Sequence, residues 1–213
     1  MRLVMRYHCD VPNKKEFRRG VKAFERREKR EAMYKVARFL VDYNWGKPAD
    51  MADGLGVLLL TWNQAFYRYG TFDYNKLEQV IRTNIKLLDK YRNRDIFSFS
   101  EADVRDIKKL FNELLDALKI ATGSMKGRRS PVAVSKALHL LAPGYFSLWD
   151  DKIAKAYGCY YSKKPADKYI DFCVWTKSIA QNVNGYVKSK KTLCKLIDEY
   201  NYSKYTKRNK GWI

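Results

Sequence analysis

The chain has 213 residues, of which 46% are hydrophobic, and it carries 43 Lys and Arg against 23 Asp and Glu. This composition excludes a disordered chain and allows one good core, or two small lobes that share a cleft. The formal net charge of +20 favours a polyanionic partner, because an excess of this size otherwise repels itself. We therefore expect nucleic acid as the partner, rather than a basic surface that serves only solubility.

The hydropathy pattern predicts no membrane partner. No apolar run approaches the roughly 18 to 20 residues of a spanning helix, and the longest candidate runs only from Leu55 to Leu60. The N-terminus shows no signal-peptide core. We expect an intracellular, cytoplasmic and nucleoid-associated protein that acts as a monomer.

The potential metal ligands are too dispersed to indicate a metal site. The four cysteines contain no Cys-x-x-Cys pair, and only two histidines could supplement them. These residues are Cys9, Cys159, Cys173, Cys194, His8 and His139. We expect reduced, mostly buried thiols, no metal site and no cofactor.

Apolar residues at three- and four-residue steps predict helices along nearly the whole chain. The first run extends from a cap at Asn13 to about Asn44, as one long amphipathic helix or as two helices broken near Arg27. Its apolar stripe includes Met33 and Val36. Eleven basic residues between positions 14 and 38 accompany four glutamates, and they either follow a phosphate backbone or solvate the outer face.

The next segments extend the helical pattern. Residues 51–69 are apolar enough for a central core helix, interrupted at Asn63 and Gln64. Asp73 is placed to cap the following helix, and the sequence from Ser100 to Asp103 fits an acidic variant of the capping box. Only residues 2–7 alternate like a strand.

The second half begins with a flexible basic loop at 123–130, which carries Lys126, Arg128 and Arg129. Helices follow from Pro131, over about 167–183 and over about 190–200. The tail at 201–213 mixes basic and aromatic residues, which suits backbone contact and base stacking or a frayed terminus. The architecture we expect is one compact all-α domain of about seven to nine helices, either undivided or with lobes at 14–121 and 130–200 flanking a cleft.

The most informative stretch lies between positions 130 and 158. The helix that starts at Pro131 carries Lys136 and His139 on an otherwise apolar sequence. A tight Ala142-Pro143-Gly144 turn follows, and Asp150 then opens the next helix. An amine and a carboxylate brought together beside a turn can act on a bound phosphodiester.

This stretch resembles the helix-hairpin-helix DNA glycosylase superfamily. Members carry a hairpin of the form Leu-Pro-Gly-x-Gly-x-Lys, then an apolar residue followed by Asp, two variable residues, an aliphatic residue and, two further on, a basic residue. The segment 130–136 keeps the Pro and the Lys, and the segment 149–155 keeps the Asp, the aliphatic and the basic position. Val132 and Val134 replace the two hairpin glycines, and the Lys-to-Asp interval is a few residues shorter than in the family.

The resemblance implies a base-excision repair enzyme that acts on damaged, double-stranded DNA, as an N-glycosylase with AP lyase activity. Lys136 would be the nucleophile and Asp150 its electrostatic partner. A polar Asn or Gln near the gap left by a flipped base matches Asn63 or Gln64. The remaining base-pocket or DNA-binding candidates are His139, Trp149, Asp151, Lys126, Arg128, Arg129 and Lys152.

Each candidate also has an ordinary structural explanation. Lys136 can extend its amine from a half-buried helix to solvent, Asp150 can simply cap its helix, and Trp149 can be a packing residue. A non-catalytic DNA-binding protein that keeps the fold and the basic surface is therefore the alternative function. A metal-dependent nuclease built on Asp150, Asp151 and Lys152 ranks third, because it needs a strand where the pattern predicts a helix.

Overall fold

The computed structural model describes residues 11–213, and all regular structure in this range is helical. The predicted all-α class is confirmed. The strand-like segment at 2–7, together with His8 and Cys9, lies outside the described residues. The α-helices within 11–213 are α1 (Lys14–Arg27), α2 (Ala32–Tyr43), α3 (Pro48–Trp62), α4 (Gln64–Tyr67), α5 (Tyr74–Arg92), α6 (Val104–Ala117), α7 (Pro131–Leu141), α8 (Asp151–Ala156), α9 (Pro165–Val183) and α10 (Leu193–Asn201).

The first predicted run is two helices. Asn13 caps α1 by accepting a hydrogen bond from the backbone N–H of Glu16 at 2.9 Å, and the chain breaks between Arg27 and Ala32. The expected apolar stripe is confirmed in α2 at Ala37 and Val41, which are buried, and it is wrong at Met33 and Val36, which are exposed. The turn at 28–31 separates α2 from α1, so the two helices do not continue one buried face.

The central helix also ends where polar residues interrupt its sequence. Helix α3 terminates at Trp62, Asn63 is its C-cap, and the short α4 follows. The expected cap at Asp73 is confirmed by hydrogen bonds from the N–H groups of Asn75 and Lys76, at 3.0 and 3.3 Å. The capping box at 100–103 is also present.

Helix packing brings distant parts of the sequence to one region. Helix α3 packs against α2, α5 and α7, and α6 packs against α5, α7 and α9. Helix α1 packs against α10. The ends of α1, α3, α7 and α10 consequently converge.

The C-terminal tail is packed against the helices. Helix α10 continues into a π-helical turn at Tyr202–Thr206. The Trp212 ring contacts the rings of Phe24 and Tyr202, with centroids 6.4 and 5.7 Å apart. These contacts show that the tail is not a frayed terminus, because its aromatic residues cover α1.

The cysteines within the described residues match expectation. Cys159, Cys173 and Cys194 are free and buried, and burial raises the pKa of the Cys194 thiol to about 12. None of the helices in 11–213 combines the length and apolar character that crossing a membrane requires.

Gly20 permits the close approach of α1 to α10. A Cβ atom at this position would lie 2.6 Å from Cδ2 of Tyr200 and 3.3 Å from its Cα. Tyr200 is fully buried, so its ring has little room to move. We expect Gly20→Ala to destabilise the protein by about 1 to 3 kcal/mol through overpacking, as measured by urea denaturation.

The control is Lys22→Ala, on the exposed side of the same helix, for which we expect a change within about 0.5 kcal/mol. A Gly20→Ala protein as stable as the parent, or more stable because alanine favours helix, would show that the two helices do not depend on this contact.

Candidate functional site

A cavity of about 1020 Å³ opens where the helix ends converge. The end of α1 and the turn at 28–31 form one side, and the junction of α3 and α4 forms another. The starts of α7 and α8, with α10 and the turn that follows it, complete the wall. Its volume lies at the upper end of the range for small-molecule sites, roughly 300 to 1,000 Å³.

Lys136 presents its amine to this cavity. The residue is half-buried on α7, and its Nζ donates hydrogen bonds to the backbone oxygen of Trp62, at 3.0 Å, and to Oδ1 of Asn63. Burial lowers the pKa of Lys136 to about 8, although the nearby Asp198 and Asp150 oppose this shift. About one amine in ten is then neutral at pH 7, and a neutral amine is nucleophilic.

Asp150 lines the same cavity as the N-cap of α8. Its Oδ1 accepts a hydrogen bond from the N–H of Ile153 at 2.8 Å, and its Oδ2 accepts one from the hydroxyl of Thr206. These bonds fix the carboxylate and link it to the C-terminal turn. The predicted helix start at this residue is confirmed.

A second carboxylate in the wall belongs to Asp198 of α10. It faces Lys195, whose Nζ lies 3.2 Å from Oδ2 of Asp198 and 2.8 Å from Oε1 of Glu31. Burial raises the pKa of Asp198, although Lys195 opposes this shift. Asp198 is therefore harder to ionise than an exposed aspartate.

Lys195 is buried beside three aromatic rings. Its Nζ lies 4.5 Å from the ring centroid of Phe24, 5.1 Å from that of Tyr34 and 5.6 Å from that of Trp62. Burial alone lowers the pKa of this amine, but the surrounding carboxylates outweigh burial and raise it. The cation is thus permanent, and it holds the turn at 28–31 against α10.

Sequence analysis missed the contribution of α10. The signal was present, because Lys195, Asp198 and Glu199 stand at helical spacing in an otherwise largely apolar segment. Buried charges of this kind are uncommon unless they are paired. Only the structure shows that these charged residues are buried.

Aromatic rings and one free amide complete the wall. Trp62 stacks on Tyr34 with centroids 5.7 Å apart and an interplanar angle of 18°. Asn63 is 8% exposed, and its Nδ2 has no hydrogen-bond partner within the described residues. This buried N–H donor is therefore left unsatisfied among the described residues.

The cavity is not uniformly positive, as a phosphate site alone would be. Four exposed basic residues at its border come from one segment, and they are Arg26, Arg27, Lys29 and Arg30. The carboxylates of Glu28, Glu31, Asp150, Asp151 and Asp198 also line it. The site thus combines a basic border with acidic groups inside.

The expectation that His139 lies in the pocket is wrong, because this residue belongs to the core. It is 0% exposed and is absent from the cavity wall. Its Nδ1 donates to the backbone oxygen of Phe146 at 2.8 Å, and Nε2 accepts from the Tyr34 hydroxyl at 2.9 Å. Burial lowers its pKa to about 3, so the neutral ring has no lone pair or N–H left for a ligand.

The other candidate residues lie either in the cavity wall or on the outer surface of the protein. Trp149 is buried in the wall, and its Nε1 donates to the backbone oxygen of Pro131 at 3.3 Å. Asp151 also lines the cavity, and it pairs with Lys155 at 2.8 Å. Exposed positions that do not line the cavity are occupied by Gln64, Lys126, Arg128, Arg129 and Lys152.

Two features bear on the metal-nuclease alternative. Residues Asp151–Ala156 form a helix rather than a strand. In the described part of the chain, no group of three or more His, Cys, Asp or Glu side chains is placed to hold a metal ion. The alternative gains no support from this arrangement.

Comparison with known proteins gave no match to a family model, to a curated protein or to a solved structure. The family resemblance therefore depends on the residues at 130–155 and on the geometry around them.

Replacing Lys195 tests whether the ion cluster maintains the cavity wall. We expect Lys195→Met to lower the free energy of unfolding by about 3 to 5 kcal/mol near pH 8, because Asp198 would remain buried without its cation, while Glu31 and Glu199 would keep only Lys191. Burial raises the pKa of Glu199 to about 7, so protonation should reduce this loss near pH 5. Urea denaturation at both pH values measures the effect.

Lys188→Met is the control, since Lys188 is exposed and should change stability by no more than about 0.5 kcal/mol. Equal unfolding midpoints for Lys195→Met and Lys188→Met would contradict a supporting role for the cluster.

Proposed function

We propose that this protein is a DNA base-excision enzyme, an N-glycosylase with AP lyase activity that acts on a nucleotide held in the cavity. One observation carries the proposal: the Lys136 amine and the Asp150 carboxylate line a single cavity large enough for an extruded nucleotide. Aromatic side chains in the wall offer surfaces for a base. The basic border offers contacts for phosphates.

The proposed chemistry starts at the neutral Lys136 amine. Its lone pair forms a bond to C1′ of the sugar, and the electron pair of the glycosidic bond leaves with the base, which takes up a proton. Nζ then loses a proton, and its electron pair breaks the bond between C1′ and O4′; O4′ takes up a proton, and a protonated imine joins Nζ and C1′. The Asp150 carboxylate would remove a proton from C2′, and the electron pair that is released expels the 3′ phosphate and cleaves the strand.

The two carboxyl groups would have different roles. Asp150, held by Ile153 and Thr206, would stabilise the positive charge that develops on the sugar. Asp198, which lines the same cavity, would deliver a proton to the departing base from its protonated form.

The alternative, a DNA-binding protein without catalysis, is favoured by a specific observation. Both oxygens of Asp150 already accept hydrogen bonds, and Lys136 donates to the last carbonyl of α3. Capping alone accounts for both interactions.

Trapping the imine distinguishes these functions. We expect borohydride to trap a covalent adduct between the protein and a duplex that carries an abasic site, because hydride reduces the imine to a stable amine. Lys136→Ala and Lys136→Arg should both abolish the adduct, although Arg retains the cation. Gel electrophoresis of the denatured complex measures adduct formation.

Lys126→Ala is the matched control, because Lys126 is exposed and does not line the cavity, and its adduct yield should equal that of the parent. Tight, salt-sensitive binding with no adduct would instead support the non-catalytic protein. Release of uracil or 8-oxoguanine from modified duplexes would identify the base.

The pH dependence of trapping reports the state of Lys136. Because burial lowers its pKa to about 8, the neutral amine increases as pH rises through this value, and the trapping rate should rise about tenfold between pH 7 and pH 9. Asp150 and Asp198 oppose this lowering. Asp150→Asn and Asp198→Asn should therefore move the midpoint to lower pH, as measured by single-turnover trapping.

The lowered pKa of Lys136 also affects how the free energy of unfolding depends on pH. Its folded pKa of about 8 is below the unfolded value of 10.5, so the contribution of Lys136 to stability should rise with pH across this window. Comparison with Lys136→Met isolates this contribution, because the buried Cys194 thiol contributes with the opposite sign. A trapping profile with an unchanged midpoint in both Asp variants would refute the electrostatic coupling.

A further inference from the structure

One face of α1 concentrates exposed positive charge. The basic residues of this face are exposed, and they are Lys14, Lys15, Arg18, Arg19 and Lys22. The opposite face carries Phe17, Val21 and Phe24, which are buried. The helix is therefore fixed to the protein by its apolar side, and its basic side faces solvent.

These charges have no acidic partners in the described part of the chain. None of the five residues forms an ion pair within 11–213, and Arg18 donates only to the backbone oxygen of Tyr186, at 2.6 Å. The two glutamates of α1 pair elsewhere: Glu16 lies 2.6 Å from Nζ of Lys204, and Glu25 lies 3.7 Å from Nζ of Lys191. Glu25 lines the same surface as the five basic residues, so this face carries one negative charge among its positive ones.

The basic face is continuous with the cavity. Arg26 and Lys29 border the cavity that contains Lys136, and they also belong to the surface formed by the basic residues of α1. A polymer held in the cavity at one of its units could therefore continue along α1, where basic residues outnumber the acidic Glu25.

The spacing of the charges suits a nucleic-acid strand. From Lys14 to Arg26 the helix rises about 18 Å, at 1.5 Å per residue. A strand with one phosphate per 3.4 Å of axis presents about five phosphates over this length. A membrane-surface helix would instead turn its apolar side outward to lipid, and here that side is buried.

We propose that the basic face of α1 binds the phosphates of the strand that leads away from the nucleotide in the cavity. This inference rests on the proposed function for its substrate, but it concerns binding along α1 and not the chemistry at Lys136. The α1 face would set the direction in which the strand leaves the site.

The test compares two triple variants that remove the same charge. The α1 variant is Lys15→Ala, Arg19→Ala and Lys22→Ala. The control variant is Lys76→Ala, Lys86→Ala and Arg105→Ala, on exposed positions of α5 and α6. Fluorescence anisotropy measures the affinity of each for a labelled duplex with one abasic site, over a series of salt concentrations.

We expect the slope of log K against log salt to become shallower by up to about 2.7 in the α1 variant, at about 0.9 for each phosphate that the variant no longer neutralises. The control variant should retain the parent slope. Equal slopes in the two triple variants would overturn the proposal, because only net charge would then matter. Loss of binding to phosphatidylserine vesicles, with duplex binding unchanged, would also overturn it.

The outcome is separable from that of the proposed function. Lys136→Ala should keep the parent salt slope while losing the adduct. Absence of any adduct, together with a shallower slope confined to the α1 variant, would reject the chemistry and support the strand path. Adduct formation together with equal slopes in the two triple variants would support the chemistry and reject the strand path.

Discussion

The buried cation of Lys195 is the interaction on which the candidate site depends. It lies among three carboxylates and three aromatic rings that come from α1, α2, α3, α10 and the turn before α2. Removing such a charge from water is costly, so the cluster is stable only while its partners remain in place. Glu31 holds a left-handed conformation, with φ of 43°, to bring its carboxylate to Lys195. The cluster thereby accounts for a strained residue at the cavity border.

This cluster also determines the electrostatics of the cavity. Asp198 belongs both to the ion cluster and to the wall, and it opposes the lowering of the Lys136 pKa by burial. Desolvation therefore lowers the pKa of the Lys136 amine, and the carboxylates of Asp150 and Asp198 partly offset this effect. The tail contributes as well, because the π-helical turn after α10 supplies Thr206 to Asp150, and such turns are frequent at functional sites. The C-terminal segment is consequently part of the site.

Local sequence signals were reliable wherever a short-range rule governs the structure. Asp73 and Asp150 mark helix starts because each accepts hydrogen bonds from backbone N–H groups of the first turn. Pro131 marks another because it has no N–H that needs a partner. The break after Arg27 and the interruption at Asn63 were visible because charged or polar residues interrupt the apolar pattern there. Met33 and Val36 were misplaced, since their exposure depends on how the turn at 28–31 orients α2, and His139 was misplaced because the core behind α7 is assembled from residues far apart in sequence.

The sequence by itself determined the all-α class, most helix starts, the basic surface and the two side chains Lys136 and Asp150, because periodicity, capping and charge are local properties of the chain. Only the tertiary structure decided that these two groups share a cavity, that α10 adds Asp198 and Lys195 to it, and that Gln64, Lys152 and the loop at 123–130 lie outside the cavity wall. The physical reason is that burial, and with it the pKa of an amine or carboxyl group, depends on which distant segments exclude water from the group.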